Sequence, residues 1–179
     1  MIDGVVMRDL AVHADERGRF VETFRREWVP GAREMIQANR ADRQAGCVVG
    51  LHFHRHQADW WYVVLGTARV VLHDLRTGSP TERMTQCFDL AGHEPRGVYI
   101  PPGVAHGFGS LTDLTLTYLV DQYYDPADEL GMAWDDPEVA ADWGIPDPVL
   151  SDRDRLLPLR GGVELPRAGD PLGDVERGL

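Results

Sequence analysis

Short apolar segments separated by turn-forming residues dominate the middle of the chain. They are rich in β-branched and aromatic residues, and Gly, Pro, Asp and Ser separate them, which is typical of β-strands. A hairpin turn is predicted at Leu65-Gly66-Thr67, between two of these strands. The pattern favours an all-β sandwich or barrel over a parallel α/β sheet. The predicted strands are Cys47 to Phe53, Trp60 to Leu65, Ala68 to Leu75, Met84 to Leu90, Val98 to Ile100 and Leu114 to Val120.

Helical periodicity is weak along the chain, so only short peripheral helices are expected. Asp136 followed by Pro137 is typical of a helix N-terminus, and it predicts a short helix from Pro137 to Trp143. A second short helix is predicted near Trp28 to Met35.

Length and charge limit the kind of protein that the chain forms. Its 179 residues suit one domain, predicted to span residues 1–160. The Gly- and Pro-rich residues 161–179 are predicted to form an extended or disordered tail. A formal net charge of -11 disfavours binding to nucleic acids or anionic membranes. Because neither a signal peptide nor a membrane-spanning apolar run is recognised, we expect a cytoplasmic protein.

A cluster of histidines marks the end of one predicted strand. His52 and His54 alternate on that strand and therefore point to the same face, and His56 joins them if the strand continues. Another histidine, His106, follows a turn at Pro101 to Gly103 that is expected to begin a further strand. Imidazoles spaced in this way can bind one metal ion together with a carboxylate from the next strand.

The spacing of these residues resembles the two metal-binding motifs of the cupin superfamily. Asp59 stands where the first motif usually has glutamate. The resemblance implies a double-stranded β-helix, the jelly-roll barrel of the cupins, and a divalent ion. A polar barrel lining without a metal ion is the alternative interpretation, and the sequence leaves both open. The metal ligands implied by the resemblance are His52, His54, Asp59 and His106.

Seven segments resemble a narrower family, the dTDP-4-dehydrorhamnose 3,5-epimerases. They occur in the family's order and together cover most of the chain. We identify the chain on this basis as a member of the family, which implies an isomerase that binds a nucleotide sugar and needs no cofactor. The segments are Asp15 to Glu22, Gln37 to Asn39, Gly50 to Phe53, Ile100 to Phe108, Tyr123 to Pro126, Trp134 to Pro137 and Leu150 to Asp154.

The resemblance also implies roles for individual residues. Removing a proton next to a ketone and returning one on the other face needs a base and an acid. His52 corresponds to the base, Asp154 to the carboxylate that orients it, and Tyr118 to the proton donor. A homodimer that exchanges strands near the N-terminus is implied as well. Contacts with sugar, phosphate or nucleotide are implied for Arg17, Glu22, Gln37, Asn39, His106, Glu129 and Arg153.

The chain departs from the family at three positions. Val49 stands where the family usually has an arginine that holds the diphosphate, and Arg43 or Arg55 are candidates to replace it. His54 stands where the family has glutamine. Asp59 replaces a lysine that stabilises the enolate, and the negative charge of an aspartate would oppose one. No lysine elsewhere can substitute, because all 18 basic residues are arginine.

These matches and departures leave three hypotheses of function. The first keeps the epimerase reaction at one or both carbons, with His52, Tyr118 and Asp154. The second replaces the lysine by a divalent metal ion, which acts as a Lewis acid or supports a different reaction; His52 cannot easily be both a ligand and a free base. The third is a sugar-nucleotide-binding relative without turnover. The intact base, carboxylate and donor favour the first.

Overall fold

The structure is a computed structural model that describes residues 1–170, and it consists mainly of two five-stranded antiparallel sheets. Its strands are β1 (Val6–Asp9), β2 (Val12–Asp15), β3 (Gly18–Val21), β4 (Gln37–Arg43), β5 (Val48–Phe53), β6 (Asp59–Leu65), β7 (Thr67–Asp74), β8 (Thr85–Ala91), β9 (Arg96–Ile100), β10 (Val104–Ser110), β11 (Leu114–Val120) and β12 (Leu130–Gly131). One sheet has the strand order β1-β9-β6-β11-β4, and the other has the order β12-β5-β10-β7-β8. β2 and β3 form a separate hairpin. The predicted all-β double-stranded β-helix is confirmed.

Apolar side chains from both sheets fill the space between them. Trp61 on β6 and Leu72 on β7 belong to this inner core, although their strands lie in different sheets. Leu114, Leu116 and Tyr118 on β11 point into the same space, as the alternation of the strand predicts. Inward-facing residues of the strands therefore meet across the sandwich.

The outer faces of both sheets are covered as well. Trp60 on β6 packs with Val29 and other residues of the N-terminal segment. On the other sheet, Leu51 and Phe53 of β5 pack with residues from the C-terminal third of the chain, among them Met132. Because β5 and β6 are covered on both sides, each is held in one register by apolar packing on its outward face.

The predicted C-terminal tail begins along this outer layer. Arg160–Gly162 forms one turn of 3-10 helix, and Val163 packs against the cluster on the outer face of β5. Thr77 and Arg167 form an isolated parallel bridge. The remainder of the predicted tail, residues 171–179, lies outside the described residues.

All six predicted strands are present, with their ends shifted by no more than two residues; they are β5 to β9 and β11. The strand expected after the turn at Pro101 to Gly103 is β10. Strands β1 to β4 and β12 have no counterpart among the predictions. β4 illustrates the reason, because its sequence QANRADR is polar and largely exposed or half-buried, so it lacks the apolar pattern of a strand.

The predicted hairpin at Leu65-Gly66-Thr67 is wrong, although the turn exists. β6 ends and β7 begins there, but the two strands belong to different sheets and do not pair. Gly66 has a φ of +81°, and a Cβ at this position would lie 2.0 Å from the backbone oxygen of Asp113. The tight turn requires glycine, and it carries the chain from one sheet to the other.

The predicted helix from Pro137 to Trp143 is also wrong. Its first turn forms, because the Asp136 carboxylate accepts a hydrogen bond of 2.7 Å from the backbone N–H of Glu138, as a helix cap does. The turn ends at Ala140, whose φ is +48°. Beyond it the side chain of Trp143 is buried in the outer cluster of β5, so tertiary packing replaces the helix that the local sequence favours.

The helix predicted near Trp28 to Met35 is wrong as well. A single 3-10 turn at Arg26–Trp28 takes its place, and Pro30 and Gly31 follow it. Gly31 has a φ of +84°, which is incompatible with a continuing right-handed helix. The short helix α1 (Asp152–Arg155) has no counterpart among the predictions. No helix within residues 1–170 has the length and apolar character needed to span a membrane.

Gly97 on β9 provides a test of the packing on the outer face of β6. A Cβ at this position would lie 1.9 Å from Cζ2 of Trp60, so the strand or the indole ring would have to move. We predict that Gly97→Ala lowers the free energy of unfolding by about 1–3 kcal/mol, measured by urea unfolding. Gly161→Ala is the control, because a Cβ there meets nothing within 4 Å. Equal stability of Gly97→Ala and the wild type would contradict the packing described.

Candidate active site

A cleft of about 650 Å³ lies between the inner faces of the two sheets. β4, β6 and β11 supply one wall and β5 and β10 the other, so the side chains that face each other come from different sheets. Most of the residues predicted for the site line this one cleft. Its polar lining consists of Gln37, Asn39, Arg43, His52, His54, Gln57, Asp59, His106, Tyr118, Tyr124 and Glu129.

His52 on β5 forms a close pair with Asp154 in helix α1. The distance from Nε2 of His52 to Oδ1 of Asp154 is 2.7 Å, and the carboxylate is almost fully buried. Helix α1 positions this carboxylate, because the hydroxyl of its cap residue Ser151 accepts a hydrogen bond from the backbone N–H of Asp154 at 3.1 Å. The predicted pairing of histidine and orienting carboxylate is thus present in the geometry.

The environment of Asp154 keeps it ionised. Burial acts to raise the pKa of its carboxyl group, but the hydrogen bond and charge of His52, with the hydrogen bond from Ser151, outweigh it and the pKa lies below its ordinary value of 3.8. An ionised carboxylate can only accept, so Nε2 of His52 carries the proton. Nδ1 is then the free nitrogen of the neutral ring, and it lies 3.9 Å from Oε1 of Glu129.

Tyr118 lines the cleft from the sheet opposite that of His52. It lies on β11, where it is half-buried beside the inner core, and it lines the cleft. Burial raises the pKa of its hydroxyl, and the negative charges of Asp59 and Glu129 raise it further. The phenol therefore keeps its proton at neutral pH and is able to donate it.

Gln37 and Asn39 lie side by side on β4. Their side chains are joined by a hydrogen bond of 3.0 Å from Nε2 of Gln37 to Oδ1 of Asn39. Asn39 lies directly opposite Tyr118 in the register of β4 and β11. Both predicted binding residues therefore present amide groups next to the candidate proton donor.

Glu129 and Arg153 form the rim of the cleft beside His52. Nη1 of Arg153 lies 3.1 Å from Oε1 of Glu129, and Nη2 donates to the backbone oxygen of the same residue at 3.0 Å. Arg153 also lines an adjoining depression together with Arg43 and Ser151. The rim thus carries two arginines close to the histidine and carboxylate pair.

Arg17 and Glu22 do not reach the cleft of their own chain. Arg17 lies at the turn between β2 and β3, where its exposed side chain pairs with Asp15 at 2.5 Å. Glu22 pairs with Arg25 at 2.5 Å. Neither residue lines the cleft in which the other predicted binding residues meet, and each is held by a neighbour in sequence.

His54, Asp59 and His106 form a compact group within the cleft. Their candidate ligand atoms all lie within 4.8 Å of one another, and the three residues are 6%, 3% and 6% exposed. The rings of the two histidines are 5.3 Å apart. Burial lowers the pKa of His106 to about 4, against the opposing charge of Asp59, so this imidazole is neutral at neutral pH.

The fourth predicted metal ligand, His52, is not part of this group. Its Nε2 atom is engaged by the carboxylate of Asp154. Three of the four ligands that the cupin resemblance implies are thus the members of this group, and His52 lies outside it. His52 is therefore paired with Asp154 and not with the two other histidines.

Several residues of the site had no distinctive pattern in the sequence. Trp61 donates from Nε1 to Asp59 at 2.9 Å and packs edge-on against His106 at 5.3 Å. The Asp128 carboxylate accepts hydrogen bonds from the backbone N–H groups of Arg55 at 2.6 Å and His56 at 3.0 Å, which fixes the loop after β5. Only the fold brings Trp61 to the cleft and Asp128 to the loop beside it, because their spacing in sequence follows no motif.

Comparison with known proteins agrees with this geometry. A family model described as dTDP-4-dehydrorhamnose 3,5-epimerase matches residues 1–160. The chain belongs to this family. The spore coat polysaccharide biosynthesis protein SpsL of Bacillus subtilis is 36% identical over 147 residues, which cover 80% of this chain and 97% of SpsL. The predicted membership and the assignment to the carbohydrate epimerases, which are isomerases, are therefore confirmed.

Solved structures of epimerases share the fold closely. NovW, a 4-keto-6-deoxy sugar epimerase from the novobiocin gene cluster of Streptomyces spheroides, is 35% identical with a TM-score of 0.88, over 93% of this chain and 89% of NovW. The dTDP-6-deoxy-D-glucose-3,5-epimerase of Legionella pneumophila, in complex with dTDP-4-keto-L-rhamnose, is 30% identical with a TM-score of 0.89, over 94% and 96% of the two chains.

The departures from the family pattern are grouped in the structure. His54 and Asp59, at the positions where the resemblance implies glutamine and lysine, belong to the same buried group. Val49, which replaces an arginine, lines the cleft together with Arg43, whereas Arg55 forms an ion pair of 3.0 Å with Glu164. Of the two arginines that sequence alone leaves open, Arg43 is the one that lines the cleft.

The pair of His52 and Asp154 predicts a measurable change in ionisation. We predict that His52→Ala raises the pKa of Asp154, because the burial that raises it is then opposed by fewer favourable contacts. The carboxyl carbon signal of Asp154, followed by NMR during a pH titration, measures this pKa directly. An unchanged pKa would contradict the pairing.

The same pair affects stability at low pH. Because the folded pKa of Asp154 lies below its unfolded value, taken as 3.8, the carboxylate stabilises the fold at neutral pH. This contribution is lost as the pH falls below 3.8 and through the folded pKa. The free energy of unfolding of His52→Ala is therefore expected to fall less than that of the wild type over the same pH range.

Proposed function

We propose that the protein epimerises a dTDP-linked 4-keto-6-deoxyhexose, with His52 as the base and Tyr118 as the acid. The observation that carries this proposal is the placement of the two groups. The pair of His52 and Asp154 lies on one sheet and its helix, and Tyr118 lies on the facing sheet across the same cleft. Exchange of a proton between the two faces of one carbon needs this arrangement.

The first step is removal of a proton by Nδ1 of His52 from a carbon next to the C4 ketone. The C–H bond breaks, its electron pair moves into the enolate, and the proton remains on the imidazole. Asp154 favours this step because its negative charge stabilises the imidazolium that forms and holds the ring in the required tautomer. Its burial strengthens that interaction.

The second step is return of a proton from the hydroxyl of Tyr118 to the opposite face of the same carbon. Its raised pKa keeps the phenol protonated until carbanion character develops. The phenolate that results is reprotonated and the imidazolium is deprotonated through solvent, so the enzyme returns to its starting state. Only protons move, and the reaction requires no redox cofactor.

The remaining polar residues of the cleft suit a nucleotide sugar. Gln37 and Asn39 offer amide groups to the hydroxyls of the hexose. Arg43 and Arg153 line the adjoining depression, and arginine binds phosphate oxygens through paired N–H groups. We assign to Arg43 the diphosphate contact that Val49 cannot make.

The alternative functions have less support. A non-catalytic sugar-nucleotide-binding protein has no use for a buried carboxylate behind His52 or for a protonated phenol facing it. A metal-dependent reaction of another kind does not need His52 as a free base. A histidine bound to a metal ion could not act as one. Epimerisation uses all three residues.

We further propose that the protein acts as a homodimer in the cytoplasm and that the β2–β3 hairpin enters the partner's cleft. The hairpin pairs with neither sheet of its own chain. It exposes two apolar side chains, with Phe20 68% exposed and Val12 44% exposed, which a partner would cover. Arg17 and Glu22, which do not reach their own cleft, would then contact the nucleotide sugar in the partner's.

Replacement of the base or of the acid tests the reaction. We predict that His52→Ala and Tyr118→Phe each slow proton exchange by at least about 100-fold, because each removes one of the two proton-transfer groups. Incubation with dTDP-4-keto-6-deoxyglucose in heavy water, followed by NMR, measures deuterium incorporation at C3 and C5. Tyr62→Phe is the control, because Tyr62 packs in the cluster on the outer face of β6.

The label also identifies the carbon that is epimerised. Incorporation at C3, at C5 or at both defines the reaction of the wild type. Wild-type rates in either variant would remove that residue from the mechanism, and absence of incorporation at high protein concentration would refute the proposed function for this substrate.

Mixed dimers test the exchange of the hairpin. We predict that Arg17→Ala and His52→Ala homodimers are both weak, and that random mixing of the two chains restores about one quarter of the wild-type activity. One cleft of each mixed dimer then combines an intact His52 with an intact Arg17 from the other chain. Mixing His52→Ala with Tyr118→Phe is the control, because both residues belong to the same chain's cleft and no intact site forms. Equal results in the two mixtures would contradict the exchange.

A further inference from the structure

We propose that His54, Asp59 and His106 bind one divalent transition-metal ion between the two walls of the cleft. Three buried residues of this kind, with their ligand atoms all within 4.8 Å of one another, converge on a single point. Ligand atoms at about 2.0–2.2 Å from one ion lie roughly 3–4 Å apart. Small side-chain rotations therefore suffice to close the group around an ion.

Regular structure holds the three ligands in place. His106 lies on β10, and His54 directly follows β5, the neighbour of β10 in the same sheet. Asp59 begins β6 in the facing sheet. The site therefore bridges the two sheets, and each ligand is attached to a backbone that packing on both faces holds rigid.

The hydrogen bonds around the group prepare both imidazoles as ligands. Nδ1 of His54 lies 2.8 Å from the backbone oxygen of Asp128, and Nδ1 of His106 lies 3.0 Å from the backbone oxygen of Val104. A carbonyl oxygen only accepts, so each Nδ1 carries a proton and each Nε2 has a free lone pair. Metal-binding histidines are commonly oriented in this way by a carbonyl behind the ring.

Hydrogen bonds also orient the carboxylate of Asp59, and its negative charge favours a bound cation. Its two oxygens accept hydrogen bonds of 2.9 Å from Nε2 of Gln57 and from Nε1 of Trp61. Both donors are neutral, so neither cancels the charge of a residue that is 3% exposed. A buried carboxylate is costly without a positive partner, and a bound divalent ion provides one.

The donor set indicates the class of ion. Two imidazoles and one carboxylate suit zinc and the other first-row transition metals, whereas magnesium and calcium prefer oxygen ligands alone. Three protein ligands leave further coordination positions for water or substrate. The site differs from the four-residue set of the cupin motif, because His52 stays paired with Asp154 and remains available as the base.

The ion also supplies the electrophile that this chain lacks, a role that rests on the proposed epimerase function. The chain contains no lysine that could stabilise an enolate, and the three ligands line the same cleft as His52 and Tyr118. With the ion bound, the ketone oxygen takes an open coordination position and the positive charge stabilises the negative charge that develops there. The proton still moves to His52 and returns from Tyr118, so the ion changes no oxidation state.

Metal binding is tested without substrate. The full-length, untagged protein is stripped with a chelator and titrated with Co²⁺, whose visible absorption reports its coordination, and with Zn²⁺ by calorimetry. One ion per chain is expected in the wild type and in His52→Ala, and at least about 100-fold weaker binding in Asp59→Asn and His106→Gln. His93→Gln, which changes an exposed histidine, controls for adventitious binding. Thermal unfolding of each stripped variant shows that it is folded.

The outcomes separate the site from its role. No saturable binding by the wild type, or equal affinity in folded Asp59→Asn and His106→Gln, overturns the site. Weakened binding in His52→Ala equal to that in Asp59→Asn overturns the three-residue assignment.

Deuterium incorporation then decides the role. Faster exchange in the metal-loaded than in the stripped wild type supports the ion as electrophile, and equal exchange overturns that role. Stoichiometric binding without exchange in either form refutes the proposed function and leaves the site standing.

Discussion

The site depends on the alternation of β5 between two buried faces. Leu51 and Phe53 point outward into an apolar cluster, while His52 points inward to the cleft and His54, just beyond the strand, does the same. A slip of one residue would bury the histidines among apolar side chains and turn the large apolar residues into the cleft. The free-energy cost of that exchange holds β5 in one register, and this register places His52 and His54 in the cleft. Apolar packing on the outside of the sheet therefore determines the geometry of the polar groups on its inside.

The same outer packing brings Asp154 to His52. The C-terminal third of the chain crosses the outer face of β5, where Met132 and Trp143 are buried, and β12 pairs with the end of β5 beside His52. This path brings Glu129 to the rim of the cleft. It also brings helix α1 to His52, so that Asp154 pairs with a residue that lies 102 positions earlier in the sequence. Loss of the outer cluster would thus separate His52 from the Asp154 carboxylate even if both sheets remained folded.

Sequence predicts the parts of this arrangement that are expressed in local patterns. The central strands follow from β-branched and aromatic runs, and the inward row of β11 follows from its alternation. Strands such as β4 are not predicted from the sequence, because their residues are polar and they pair with a strand that is distant in the sequence. The turn at Gly66 is evident locally, but whether it joins paired strands or two sheets depends on contacts elsewhere in the chain. Asp136 forms the cap that its sequence indicates, yet burial of Trp143 draws the following residues away from a helix. The roles predicted for His52, Tyr118 and Asp154 rest on the resemblance alone, since nothing in their spacing reveals that they belong to one site.

The replacements at His54 and Asp59 are best understood as one change in the electrostatics of the cleft. An isolated aspartate in place of a lysine alters the local charge by two units, in a buried place where Coulomb interactions are weakly screened. That change would oppose formation of an enolate and would add to the negative charges of Glu129 and Asp154. Together, however, the aspartate and the new histidine create with His106 a group of oriented lone pairs that favours a cation. The positive charge of the lysine that the resemblance implies at this position can then be supplied by a bound ion, between the two walls of the cleft and without recruiting His52. The pairing of His52 with Asp154 permits this, because it leaves His52 outside the group that would bind the ion.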